Sequence, residues 1–203
     1  MTEKRTYNLG RRAETAAETR QRLVEATAAL HAERAISATS LRDIAERAGV
    51  SVGTAYHHFP TYLDAVRACG AHVMAASPLP AEDIFDGVDG LDERVQLFVR
   101  ELGAWYGRNV WLEHVRAERS MYPPVEEGLS HLERGIEQLA RAAAGCTADE
   151  ARTVAALADA AVYSSLRRAG VPAGRVPGRI AEVIVTWLRT RSTQRSNTSR
   201  RSR

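Results

Sequence analysis

The chain has 203 residues, 44% hydrophobic and 26% charged, enough for one large or two modest cores, and it lacks any uncharged apolar run of about eighteen residues, which excludes a membrane-spanning helix. Met1 to Arg12 has no apolar secretion-signal core and the two cysteines, Cys69 and Cys146, make no disulfide framework, so a cytoplasmic protein with reduced thiols is expected. The net charge of +3 is unevenly spread, with nine basic against seven acidic side chains over residues 1–60, fourteen against eighteen over 61–190 and five against none over 191–203, as suits a chain whose ends meet phosphate.

Residues 1–12 are expected as a flexible basic arm. The spacing then predicts a helix from about Glu14 to Arg34, with Leu23, Thr27 and Leu30 on one stripe and Arg20, Arg22 and Glu25 mostly off it. Ser40 opens a short second helix, with Asp43 where a capping-box partner belongs and Leu41, Ile44, Ala45 and Ala48 on the inward face. Gly49 falls where the chain must turn sharply, a place for positive φ, and Val50 plugs the angle. Ser51 caps a third helix. Within it Val52, Ala55 and Phe59 are expected to face the core, leaving Gly53, Thr54, Tyr56 and His57 outward.

That outward set combines hydroxyls, a glycine for close approach, a polar-tipped aromatic ring and an imidazole. A helix of about two turns carrying it suits a major groove about 12 Å wide, with its first amides toward phosphate, which is the arrangement of a helix-turn-helix.

A fourth helix starts at Thr61, with Asp64 reaching back as its capping partner, and ends before Ser77-Pro78. Residues 77–90 read as a loop with about one helical turn. Val95, Phe98, Val99, Leu102, Trp105 and Tyr106 mark an apolar face from Leu91 to about Asn109, followed by a shorter helix from Val110 to about Met121. Tyr122-Pro123-Pro124 breaks the chain before a helix over Val125 to Ala144, which stops at Gly145. Thr147 and Glu150 open a helix from Ala148 to Ala169 with a small-residue face, and a last helix from about Pro177 to Arg191 presents Ile180, Val183, Ile184, Trp187 and Leu188. These last two helices, about 148–169 and 177–191, suit either a four-helix homodimer interface or an intramolecular hairpin core. Residues 192–203 have nothing to bury and are expected to be disordered.

Ile44-Ala45, Ala48-Gly49-Val50-Ser51, Gly53-Thr54 and Tyr56-His57-His58-Phe59 stand in the order and spacing of the DNA-binding head of the TetR (tetracycline repressor) family, which residues 13 to about 66 resemble. The resemblance implies an all-α protein of about nine helices. Its parts are the arm 1–12, a three-helix helix-turn-helix domain over 13–60, a helical ligand-binding and dimerisation domain over 61–191, and the tail 192–203. It implies a dimeric regulator, a repressor of a palindromic double-stranded operator released by a small-molecule effector, with no enzymatic activity, cofactor, metal or membrane.

Carried over by position, Thr39 or Ser40 would hold a backbone phosphate. Ser51, Val52, Gly53 and Thr54 would approach bases or adjacent phosphates, and Tyr56 and His57 would clamp phosphate. His58 and Phe59 would be mainly structural. Members commonly carry a lysine shortly after this phenylalanine. Here Thr61-Tyr62-Leu63 takes its place, so Tyr62 or Thr61 is expected to donate a hydrogen bond but no charge, and Arg11, Arg12 and Arg42 to supply charge.

For the effector the candidates are Trp105, Tyr106, Trp111, His114, Arg116, Arg119, Met121, Tyr122 and Tyr163, aromatics with polar tips and a few charges. Other readings are a DNA-binding dimer without effector control and a helical enzyme using Cys69 and His72 as a thiol-imidazole pair. The pair lacks a third orienting group, and a metal site from His57, His58, Cys69 and His72 matches no zinc spacing.

Overall fold

The computed structural model describes the backbone of residues 3–201 and the side chains of residues 14–194. Among the described residues it is all-helical: α1 (Glu3–Glu33), α2 (Leu41–Ala48), α3 (Val52–His58), α4 (Tyr62–Ala76), α5 (Leu91–Arg108), α6 (Leu112–Ala117), α7 (Pro123–Ala144), α8 (Ala148–Leu157), α9 (Ala160–Arg168) and α10 (Val176–Arg201). Short 3-10 turns lie at Ile36–Ala38, Glu82–Phe85, Arg119–Met121 and Ala173–Arg175. The chain divides into two compact units, one of Met1–Pro78 with Trp111–Ser130 and the other of Leu79–Val110 with His131–Arg203. The first therefore takes in more than the head expected over 13–60.

In the first unit, α1, α2 and α4 converge on Leu23, Val24, Leu30, Leu41, Ile44, Ala45, Ala55 and Phe59, all buried. Local chemistry starts and stops these helices. Ser40 accepts from the Asp43 amide while Asp43 accepts from that of Ser40, and Thr61 with Asp64 repeats the arrangement. Such caps satisfy amides that the first turn leaves without partners, each worth about 1 kcal/mol. Gly49 ends α2 at φ 65°, where a Cβ is strained.

In the second unit α5 packs against α10, and α8 and α9 pack on α10 as well. Val95, Phe98, Val99, Leu102, Trp105 and Tyr106 are buried along α5, and Ile180, Ile184 and Leu188 along α10. Val183, expected on that apolar face, is instead 55% exposed, because the α10 side turned to α5 runs through Ile180, Ala181, Ile184, Val185 and Leu188. Arg94 ties the connection before α5 to the end of α7. Its guanidinium donates to the carbonyls of Phe85, Val88, Ala142 and Ala143 and covers the Phe85 ring. Tyr163 of α9 donates its hydroxyl to the Val99 carbonyl of α5. Its ring lies so close to Gly103 that a Cβ there would stand 2.5 Å from Cε1.

Five boundaries differ from expectation. The helix expected over Ala148 to Ala169 is two, because Asp159 leaves the helical path and accepts from the Ala161 amide, as an N-cap does. The segment after Asn109 forms a shorter helix and a separate 3-10 turn. The next helix begins at Pro123, where a missing N–H costs nothing. Finally, the backbone of residues 3–12 continues α1 and that of 192–201 continues α10, where a flexible arm and a disordered tail were expected; neither stretch contains a proline to stop the helix.

Candidate nucleic-acid interface

The unit α2, Gly49, α3 presents one buried and one exposed side. Ala55 and Phe59 point inward, at 0% and 1% exposure. Ser51, Gly53, Tyr56 and His57 are exposed, and Thr54 is half-buried. Val52, which the apolar pattern turned to the core and the family resemblance turned to DNA, is 38% exposed. In the first turn its side chain sits ahead of the α2 contact made by Ala55, and so joins the outward face. The Ser51 hydroxyl accepts from the Thr54 amide at 3.0 Å and lies 2.8 Å from the Thr54 hydroxyl. This face offers two hydroxyls, a valine, a tyrosine ring and an imidazole around a glycine that gives backbone access.

Two expected contacts fall elsewhere. Thr39 is buried and its hydroxyl donates to the Ala35 carbonyl, which leaves Ser40 as the exposed hydroxyl at the start of α2. Tyr62 is turned inward. Its hydroxyl donates to the Ile36 carbonyl at 2.7 Å and accepts from His31 Nε2 at 2.8 Å, so it is not available to phosphate. Arg42 is exposed, while the side chains of Arg11 and Arg12 lie outside the described residues.

Tyr62 belongs to a continuous polar chain beneath the head. The Cys69 thiol faces His31 Nδ1 at 3.8 Å, and the His31 ring reaches Ile36 through Tyr62. The Glu118 carboxylate accepts from the backbone amides of Ile36 and Ser37 at 2.7 and 2.8 Å. Burial above all lowers the His31 pKa to about 4, against the charge of Glu118. A neutral ring is what the chain requires, with one nitrogen donating to Tyr62 and the other accepting from the thiol. Burial raises the Tyr62 hydroxyl well above its ordinary range and the Cys69 thiol to about 11. A thiol held protonated is the opposite of what a nucleophile needs, and its partner is His31 rather than His72. Glu118 was not singled out from the sequence.

Residues 23–61 match the family of bacterial regulatory proteins, tetR family. This head is similar to that of the TetR family. Over 40 residues it is 52% identical to the HTH-type transcriptional repressor KstR2 of Mycobacterium tuberculosis, a match that spans 20% of each chain. The fold is shared more widely. The multidrug binding protein EbrR, solved with imidazole, superposes with a TM-score of 0.61 at 23% identity, covering 83% of this chain and 93% of that one. A tetR-family transcriptional regulator from Streptomyces coelicolor gives 0.64 at 16% identity, over 91% and 88%.

Outside this head, the nine candidate effector residues fall into two groups. Trp105, Tyr106 and Tyr163 belong to the second unit. Trp105 and Tyr106 are buried, Tyr163 is half-buried, and Tyr106 stands edge-on to both neighbours, with ring centroids 5.5 and 5.8 Å away. Trp111, His114, Arg116, Arg119, Met121 and Tyr122 belong to the first unit. His114 and Met121 are exposed, and Trp111 and Arg116 half-buried. Arg119 forks onto Glu126 at 2.5 and 2.8 Å, and Tyr122 meets Tyr62 edge-on.

Proposed function

We propose that this chain is a transcriptional regulator that represses by binding a palindromic operator as a dimer and releases it when a small molecule binds. The observation that carries this reading is the α3 surface, exposed at Ser51, Val52, Gly53, Tyr56 and His57 on a helix whose other side is locked into the core by Ala55 and Phe59. Hydroxyls and an imidazole suit phosphate and base edges, and the Val52 methyls suit the thymine methyl group. Ser40 and Arg42 extend the contact at the start of α2, and Arg11 and Arg12 supply charge ahead of it.

In this reading residues 13–60 bind DNA and 61–191 bind the effector and the second subunit, through 148–169 and 177–191. The exposed Val183 on α10 supports that interface. No helix among the described residues is long and apolar enough to cross a membrane, and the protein acts in the cytoplasm. The candidate effector contacts are Trp105, Tyr106 and Tyr163 in the second unit and Trp111, His114, Arg116, Arg119, Met121 and Tyr122 in the first. The structural neighbour EbrR, described as a multidrug binding protein and solved with imidazole and with proflavin, supports a small-molecule partner. Such a ligand acts by preferring the conformation with weaker DNA affinity.

Fluorescence anisotropy with DNA from upstream of the protein's own gene, at graded salt, tests the reading. Binding should weaken steeply as salt rises, since phosphate contacts release counterions, and Tyr56→Ala should weaken it about tenfold, the loss of roughly one good contact. Absence of binding to any such DNA at low salt overturns it.

A further inference from the structure

Of the six arginines with described side chains from α1 to α4, three are paired with carboxylates. Arg47 forks onto Glu33 at 2.8 and 2.6 Å, Arg34 lies 3.4 Å from Asp43, and Arg67 lies 3.7 and 3.5 Å from Asp64 and Glu127. Arg22 donates to the Ala48 carbonyl and the Thr19 hydroxyl. Among the described residues of α1 to α4, Arg20 and Arg42 alone have no carboxylate or carbonyl partner of this kind. Arg42 is already placed at the start of α2. Arg20 is exposed on α1, and its guanidinium carbon stands 5.0 Å from the ring centre of Phe59, the residue that closes α3.

Stacking on a buried ring orients a guanidinium plane while its N–H edges remain available, the geometry in which arginine binds phosphate. The charge also reaches the interface. His58 is held below the ordinary imidazole range by burial first, then by the charges of His57 and Arg20. Arg20 thus stands at the C-terminal end of α3, over Phe59 and with its charge felt at His58, without a carboxylate to cancel it.

We propose that Arg20 is a phosphate-binding residue of the DNA interface, with Phe59 as the platform that orients it. It supplies at the end of α3 the charge that Thr61-Tyr62-Leu63 cannot. The proposal rests on the DNA-binding reading above.

The test is the salt dependence of operator binding by the full chain, for wild type, Arg20→Gln, Arg20→Lys and Arg34→Gln. Each phosphate contact contributes about 0.9 to the slope of log affinity against log salt. Arg20→Gln should therefore lose affinity between about 50 and 200 mM salt some 3.5-fold less steeply than wild type for each Arg20 engaged. Arg20→Lys should keep the wild-type slope, and so should Arg34→Gln, whose charge is spent on Asp43. An Arg20→Gln protein that binds more weakly but with the wild-type slope shows a packing role and overturns the proposal.

A second measurement works from the DNA. Replacing single phosphates by neutral methylphosphonates should reveal one linkage per half-site that weakens wild type and leaves Arg20→Gln unaffected. If every linkage that matters to one protein matters equally to the other, the proposal fails. Wild-type protein that binds no DNA at low salt refutes the DNA-binding reading itself, and this proposal with it. DNA binding with an unaltered Arg20→Gln slope refutes the proposal alone.

Discussion

Glu118→Ala should cost the protein about 2–4 kcal/mol, although residue 118 lies far in sequence from the segment it holds. The 3-10 turn Ile36–Ala38 begins after Ala35, whose methyl group cannot cap it, so its first amides need another acceptor. Both oxygens of Glu118 serve, at 2.7 Å from the Ile36 nitrogen and 2.8 Å from that of Ser37, with the side chain buried. Hydrogen bonds to a charged group contribute about 1.5–3 kcal/mol each. The two positions differ, however. Ile36 is buried, so its amide would be stranded, whereas Ser37 is exposed and its amide can turn to water, which keeps the sum below the full value of two bonds. Chains of this size lose about 2–4 °C per kcal/mol, so thermal melts of the full chain at pH 7 should fall by about 5–15 °C. Glu118→Gln should lie between, because an amide offers one acceptor oxygen and sets its own N–H against the second donor. An alanine variant within about 0.5 kcal/mol of wild type by urea titration, or a glutamine variant equal to wild type, would show that the carboxylate does not hold these amides.

Two further outcomes follow from polar groups inside the fold. His31, lowered to about 4 from 6.5 mainly by burial, resists a proton that the unfolded chain accepts. Its contribution to stability is complete above pH 6.5 and is lost as pH falls from 6.5 towards 4, by up to about 1.4 kcal/mol per pH unit. Urea midpoints over pH 5–6.5 should therefore fall less in His31→Gln than in wild type, and equal slopes would count against a buried neutral ring. Arg94→Ala removes donors from four carbonyls and should cost about 2–4 kcal/mol. Arg94→Lys should recover less than half of it in the same titration, because a compact ammonium cannot span both pairs as a guanidinium fork does.

The elements legible in the sequence are those whose causes are local. Ser40 with Asp43, Thr61 with Asp64 and Thr147 with Glu150 each set a helix start within four residues, and all three are capping boxes in the fold. Gly49 was readable because a turn of that hand needs it. Asp159 carried a signal of the same kind, an N-capping side chain, but the alanines around it hid the break. What could not be read depends on distant partners. Tyr62 sits where a phosphate contact was expected, yet the Ile36 carbonyl and His31 draw its hydroxyl inward. Nothing near Glu118 announces Ile36, and nothing near Arg20 announces Phe59. Val52 was misplaced for a geometric reason: on so short a helix the apolar pattern leaves one residue whose side is set by the entry angle rather than by its hydrophobicity.

The approach of Tyr163 to Gly103 makes those two positions one decision rather than two. With 2.5 Å between a Cβ at 103 and the tyrosine ring, α5 and α9 keep their spacing only while one partner has no side chain or the other gives up its ring. A lineage that acquires alanine at 103 must shrink or re-aim residue 163, and one that loses the tyrosine releases 103 from being glycine. Across related chains the pair should change together or not at all, whatever each chain recognises.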